Sequence, residues 1–404
     1  MSGTGRKAEL RHADAGAALP WSSAPGNTTS TRPVMVLHVV ESFGSGVKTS
    51  LLSYVANTPE YDHHLLWATH ADTSVSAADL SVFTSHRHLP DGHRKRVAAV
   101  REAIRRLAPP IVHAHSSWAG MYVRVATRHS ARLSIVYTPH GYSFQRQDIS
   151  ATTRGLFRVA EWMLSFNTTA VAACGEHEAR LSAWPVRHPP ISVIPNVSHA
   201  SGRQRHARLD ARARPGESGS DLPVVVGAGR LCNAKDPAFF AATITALRAS
   251  GAQLRAVWMG DGEEHFARTL RDADVEITGW LTPHETWDTL GRASIYLHTA
   301  RWEGFPLSVL EAAAAGVPVI GRDIGALRDE GLPLLFSRPA DVVDLWNRLA
   351  EDDEWRAALA FARELAESHD DASQGRALNA LYRSLRSVRG RDATERHSVD
   401  EHAR

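Results

Sequence analysis

The chain has 404 residues, more than one ordinary core needs and about the length of two domains. Its 46 Lys and Arg against 44 Asp and Glu leave a net charge of +2, too little bulk field for a protein that coats nucleic acid. Hydrophobic residues at 43% and charged residues at 22% suit a soluble globular chain, and two cysteines, Cys174 and Cys232, exclude a disulfide framework or a four-cysteine zinc site.

No run approaches the roughly 18 uninterrupted apolar residues of a membrane span. Residues 1–32 have no periodicity and no apolar core of signal-peptide length, so they read as an unstructured lead in a cytoplasmic protein. Order is expected from Val34-Met35-Val36-Leu37-His38-Val39-Val40, a β-branched run suited to a strand buried on both faces. Further strands are expected at Leu65–Thr69, Ile111–His115, Leu133–Tyr137, Thr168–Ala173 and Ile191–Ile194. Helical stretches fall between them at Thr49–Ala56, Arg94–Leu107, Trp118–Thr127 and Thr153–Ser165. Residues 200–221 are basic, Gly/Ser-rich and aperiodic, and read as a linker.

Alternation restarts with strands at Val224–Ala228, Arg255–Met259, Val275–Ile277, Ile295–His298, Pro318–Ile320 and Leu334–Phe336. Helices are expected near 237–248, 263–271, 283–290, 306–315, 340–349 and 353–367. The fold class is therefore α/β, with two doubly wound Rossmann-like domains facing across a cleft. The expected domains are 33–199 and 222–372, followed by a terminal helix over 373–388 that can pack back on the first domain and an aperiodic tail over 389–404.

Glu41 to Ser50 forms a Gly-rich turn after the first strand. Lys48-Thr49 fits the end of a P-loop, but Ser42 and Val47 stand where its two glycines belong. Gly44 and Gly46 fit the first two glycines of a dinucleotide fingerprint, yet Thr49 replaces the third and no acidic residue ends the second strand. A close ligand approach to a helix N-terminus and a plain βα turn both remain open.

Three features in the second half carry more. Gly227-Ala228-Gly229-Arg230 and Lys235-Asp236-Pro237 place two cations at the carboxyl end of a strand, as a diphosphate site or as solvated charges. Gly260-Asp261-Gly262 is a strand-ending turn that exposes backbone to a ligand or simply caps the next helix. Glu303-Gly304-Phe305-Pro306-Leu307 leads into a helix with Pro306 as its first residue, Glu303 before it and Glu311 inside it. A carboxylate accepting two hydroxyls there suits a sugar diol; capping and exposed helical carboxylates are the alternative.

In these motifs the chain resembles the retaining glycosyltransferases of family 4, which have the two-domain GT-B fold. The likeness covers roughly residues 34–388 and rests on Glu303…Glu311 spaced E-x7-E, downstream of Gly-Arg-x5-Lys-Asp-Pro and Gly-Asp-Gly. It implies that Arg230 and Lys235 neutralise the diphosphate of a UDP- or GDP-linked sugar and that Glu311 holds the ribose. It implies that Glu303 binds donor-sugar hydroxyls, with Gly304, Phe305, Pro306 and Leu307 lending backbone support. Gly229, Gly260 and Asp261 would complete the donor site, with Gly44 and Gly46 letting the first loop reach the phosphates. His140, in Thr138-Pro139-His140-Gly141, matches a histidine at the donor sugar, so the implied catalytic set is His140, Glu303, Arg230 and Lys235.

No cofactor or metal is expected. Asp272-Ala273-Asp274 lies away from the motifs, and His113 and His115 share a strand face but lack an identifiable third ligand. Val197 follows Pro195-Asn196 where the family commonly has glycine, which weakens any role carried over to Asn196. The basic amphipathic helix 93–107 is either packed on the sheet or a contact for anionic lipid, which would bring the N-terminal domain to a lipid-linked acceptor on the inner face of the plasma membrane. Glycosylation of a small metabolite, a nicotinamide oxidoreductase and a non-catalytic sugar-nucleotide binder are the other readings.

Overall fold

The computed structural model describes residues 22–23, 33–69, 75–198, 213–215 and 222–385. In the N-terminal domain the strands are β1 (Ser22–Ser23), β2 (Val34–Val40), β3 (Tyr61–Trp67), β4 (Ser85–His88), β5 (Ile111–His115), β6 (Ser134–Thr138), β7 (Ala170–Ala173) and β8 (Ile191–Val193). They form one sheet in the order β1-β4-β3-β2-β5-β6-β7-β8, parallel throughout except for β1. Its helices are α1 (Ser45–Ala56), α2 (Ala77–Ser81), α3 (His93–Leu107), α4 (Ser117–Ala126), α5 (Ala151–Ser165) and α6 (Glu176–Ser182).

The C-terminal domain has β9 (Val224–Ala228), β10 (Arg255–Met259), β11 (Glu276–Ile277), β12 (Ile295–His298), β13 (Val319–Arg322) and β14 (Leu335–Phe336), all parallel, in the order β11-β10-β9-β12-β13-β14. Its helices are α7 (Pro237–Ala249), α8 (Glu264–Asp272), α9 (Pro283–Arg292), α10 (Leu307–Ala314), α11 (Gly325–Arg328), α12 (Val342–Arg348) and α13 (Asp352–Ser368). Both domains thus have the doubly wound form expected from the βαβα alternation. In each, strand order reverses beside the first long strand, at β3/β2/β5 and at β10/β9/β12, and such reversal points open a crevice at the carboxyl ends of the strands.

Each sheet is buried on both faces by apolar helices. Leu37, Val39 and Val112 pack under α3 and α4, while Val36, Val40 and Ile111 pack under α1. The same second layer contains Leu378, Leu381, Tyr382 and Leu385 of α14, the helix over 371–385. The chain therefore completes the C-terminal domain with α13 and then crosses back, and Gln374 ties the crossing by donating to the Pro195 carbonyl at 2.8 Å.

Several boundaries moved for physical reasons. β3 begins at Tyr61 rather than Leu65, because the core accepts the imidazoles of His63 and His64 as interior groups. Sequence periodicity passed over β4, whose residues Ser-His-Arg-His carry no apolar run, and also the short helices α2, α6 and α11. Within the expected unstructured lead, Ser22–Ser23 pair with β4 and correct that reading locally. The rest of that lead, the tail over 389–404 and most of the linker lie outside the described residues.

Leu378 is fully buried against the N-terminal sheet although it follows the whole C-terminal domain. Leu378→Ala is expected to lower stability by about 2–5 kcal/mol, the usual range for an uncompensated buried Leu, measured by urea unfolding with a probe in the N-terminal domain.

Candidate active site in the interdomain cleft

The two crevices face each other, and closure of the cleft rests on glycine. A Cβ on Gly304 would stand 2.8 Å from the Cys174 sulfur and 2.9 Å from the Gly141 nitrogen, so the two backbones touch where any side chain would wedge the domains apart. Gly141 has φ +89°, and the carboxylate of buried Glu178 holds its loop by accepting from the N–H groups of Gly141 at 2.6 Å and Cys174 at 2.8 Å. Asn196 adds a second clasp: it accepts from Ser50 Oγ of α1 and donates to the Phe305 carbonyl, both at 2.9 Å. Val197 in place of glycine has not removed this contact.

Between the domains lies a cavity of about 540 Å³. Gly44, Gly46, His140, Gly229, Arg230, Lys235, Gly260, Glu303, Gly304, Phe305, Pro306, Leu307 and Glu311 all line it. Asp261 does not; its carboxylate accepts from the neighbouring Gly262 N–H at 2.8 Å, while Glu263 precedes α8 as N-cap. Pro306 is the N-cap of α10 rather than its first residue, extended at φ −77°, ψ 123°.

Two helices aim their N-termini at this space. α1 starts after Gly44 and α10 after Pro306, neither with a side-chain cap nor with an acidic residue in its first turn. Their unpaired N–H groups and dipole ends make a positive region shared by both domains, and Leu307 Cδ1 lies 3.6 Å from the place a Cβ on Gly46 would take. Arg230 and Lys235 add full charges from the loop after β9. A Cβ on Gly260 would run into the Gly229 carbonyl oxygen, so close backbone packing shapes this side of the pocket.

Lys235 is ion-paired with Glu303. Beneath it Asp236, which is buried, caps α7 and accepts from Arg301 Nε at 2.6 Å and Arg322 Nη1 at 2.7 Å. This brace joins the Lys235 loop to the loop after β12 and to the end of β13; the motif contained Asp236, but neither arginine was marked in the sequence. Glu311, in the second turn of α10, is pushed up to about 7 by burial, partly offset by the charge of Lys235. His140 has φ +51° and is drawn down to about 4 by burial, so it is neutral at pH 7.

His113 and His115 do have a third neighbour. His38, His113 and His115 each bring a ring nitrogen to within 4.8 Å of the others, and periodicity alone gave no sign of His38 because it sits on another strand. Both nitrogens of all three rings already have hydrogen-bond partners within the protein. Asp272 and Asp274 end α8 away from the cavity, with Asp274 facing Arg248 at 3.4 Å.

Two Rossmann-like domains facing each other across a cleft are the GT-B arrangement. The comparisons give the class: residues 45–197 match the model "Glycosyl transferase 4-like domain" and residues 222–352 match "Glycosyl transferases group 1". The chain belongs to these GT-B glycosyltransferases. It is 26% identical over 243 residues to the putative teichuronic acid biosynthesis glycosyltransferase TuaC of Bacillus subtilis, covering 58% of this chain and 59% of that one. It is 25% identical over 229 residues to the UDP-Gal:alpha-D-GlcNAc-diphosphoundecaprenol alpha-1,3-galactosyltransferase of Escherichia coli, covering 53% and 58%. The match thus spans under three fifths of either relative. In fold it resembles Anabaena HepE, solved with UDP and glucose, at TM-score 0.67 and 16% identity over 87% of this chain and 100% of that one.

Glu311 supplies a pH test of the site. Its folded pKa lies above the unfolded value of about 4.3, so its contribution is full below pH ~4 and is lost as pH rises through about 7. Glu311→Gln is expected to be more stable than wild type by about 1–2 kcal/mol at pH 8 and equal to it at pH 4, read from thermal melts at both values.

Proposed function

We propose that the chain is a retaining, metal-independent glycosyltransferase that moves a hexose-type sugar from a UDP- or GDP-sugar to a hydroxyl acceptor. The observation that carries this reading is the convergence of two uncapped helix N-termini, Arg230 and Lys235 on one cavity that also holds Glu303 and Glu311. The diphosphate lies against the positive groups, Glu311 accepts the ribose hydroxyls, and Glu303 and His140 meet the donor sugar.

Cleavage of the sugar–phosphate bond leaves negative charge on the diphosphate and positive charge on the anomeric carbon. Fixed cations and helix dipoles stand where the negative charge grows, which lowers the barrier without reorganisation and supplies the charge a metal would bring. Glu303 is held by Lys235 and Glu311 sits in α10, so both serve as hydroxyl acceptors rather than nucleophiles. Retention then follows from front-face substitution, the leaving phosphate oxygen taking the acceptor's proton.

The acceptor in this proposal is a lipid-linked glycan in polysaccharide or glycolipid assembly, in keeping with one relative in teichuronic acid biosynthesis and another that acts on a diphosphoundecaprenol-linked sugar. No helix among the described residues is long and apolar enough to cross a membrane, so the chain would meet such an acceptor from the surface, on the cytoplasmic side. α3 exposes Arg94, Lys95, Arg101, Arg105 and Arg106. In the same layer α5 exposes Leu156, Val159 and Met163 at helical spacing, with Phe166 beyond its end. A cationic face and an apolar face in one layer suit an anionic bilayer.

Thermal melts with EDTA present are expected to show stabilisation by UDP or GDP and none by NAD or ATP, with the shift absent in Glu311→Ala. Lys235→Ala is expected to lower the transfer rate about 10²–10³-fold, as loss of one preorganised charge-stabilising group does. A shift with NAD or ATP alone would sink the reading. In flotation with anionic vesicles, Leu156→Asp/Met163→Asp is expected to stay in solution where wild type binds; equal binding would rule out α5 as the docking face.

A further inference from the structure

One buried face of the N-terminal sheet carries a row of histidines of which the glycosyl-transfer reading uses only His140. His140 Nε2 lies 3.1 Å from His115 Nδ1, and His115 Nε2 lies 3.0 Å from His38 Nδ1. His38 Nε2 in turn lies 2.9 Å from His63 Nδ1, and His63 Nε2 lies 3.0 Å from the Thr58 carbonyl oxygen. The rings stand on β2, β3, β5 and the loop after β6, so the row runs from the cavity wall into the domain. His38 and His115 are wholly buried and His63 almost so.

The far end of this row decides its polarity. The Thr58 carbonyl can only accept, and the Thr58 hydroxyl, 3.1 Å from the same His63 nitrogen, gives its own proton to the Tyr54 carbonyl at 2.5 Å. His63 must therefore carry its proton on Nε2, leaving Nδ1 bare. A bare His63 Nδ1 requires the proton of His38 on Nε2, and the same step repeats through His115 to His140. Burial holds all four rings in the neutral form, so none has a second proton that would break the order.

We propose that Thr58, His63, His38 and His115 form a tautomer lock that keeps the proton of His140 on Nε2 and turns its bare Nδ1 to the cavity as a hydrogen-bond acceptor. Four imidazole dipoles aligned head to tail strengthen that acceptor, since each bond in a low-dielectric chain polarises the next. His140 would then receive a hydroxyl or amide N–H of the donor and give no proton to it. His63, His38 and His115 are positioning residues, acting through His140. The choice of donor hydroxyl rests on the sugar-nucleotide reading above; the tautomer does not.

The test is long-range proton–nitrogen NMR on the full chain labelled with nitrogen-15 histidine, without ligand, at neutral pH. All four rings are expected to show protonated Nε2 and bare Nδ1; a protonated Nδ1 on His140 would overturn the lock. Two variants at the buried end separate polarity from packing. In His63→Gln the amide oxygen accepts from His38 and the amide nitrogen donates to Thr58, so the His140 signature and turnover are expected to persist. In His63→Leu the row loses its acceptor, and His140 is expected to show mixed tautomers with kcat about tenfold lower, the worth of one hydrogen bond. An unchanged His140 spectrum in a folded His63→Leu would sink the proposal. So would stoichiometric metal in the purified protein whose removal by chelator shifts the His38, His113 and His115 signals. No turnover with any UDP- or GDP-sugar, with the tautomer pattern intact, would instead count against the sugar assignment.

Discussion

Contact between the Gly141 and Gly304 backbones is the constraint from which the active site follows. Neither domain alone gathers the positive groups of the cavity: α1 brings one helix N-terminus and the C-terminal domain brings the other, together with Arg230 and Lys235. These groups face one volume only because the two loops approach without side chains between them. Glu178 beneath Gly141 and Asn196 beneath Phe305 fix that approach from either side. Farther out, His177 meets Asp329 at 2.6 Å and Glu330 accepts from the Glu176 N–H at 2.7 Å, so closure is spread over polar contacts of modest individual strength.

Electrostatics inside the cleft bear little relation to the charge of the chain. A net charge of +2 over 404 residues gives no overall field, yet the cavity gathers two cations and two helix dipoles beside two carboxylates. Within the protein these charges satisfy one another locally. Lys235 pairs with Glu303, and Glu311 is held near neutrality by burial. Under the proposed function, an arriving diphosphate would compete for Lys235 and release Glu303 toward hydroxyls, which would couple recognition of the phosphate end to recognition of the sugar end.

Most of the fold was legible because both sheets are parallel and covered on two faces, so their strands read as short apolar runs separated by helical periods. β5, β9, β10 and β12 have the bounds their composition implies. What escaped notice was polar: β4, and the first half of β3, where His63 and His64 look like a turn. The pocket lining was largely legible from motifs at strand ends, since Gly229, Arg230, Lys235, Glu303 and Glu311 follow β9 and β12 directly. Asp261 misled because a Gly-Asp-Gly turn satisfies its own carboxylate locally. Arg301, Arg322 and Glu178 act through tertiary contacts to backbone or to Asp236, and no periodicity marks a residue whose partner lies far off in sequence.

The histidine row has the same character in stronger form. His38, His63 and His115 taken alone are polar residues on apolar strands, and the pair His113 and His115 offers no identifiable third ligand in the sequence. Only strand order brings His38 beside His115 and His63 beside His38. Burying four imidazoles is tolerable because each is both donor and acceptor, so a chain of them satisfies every nitrogen except the outermost. That remaining nitrogen belongs to His140, at the cavity. A row of apolar residues would pack the same sheet but would leave His140 free to choose its proton. The direction of the hydrogen bonds is set at the end farthest from the substrate, by one backbone carbonyl that has no choice but to accept.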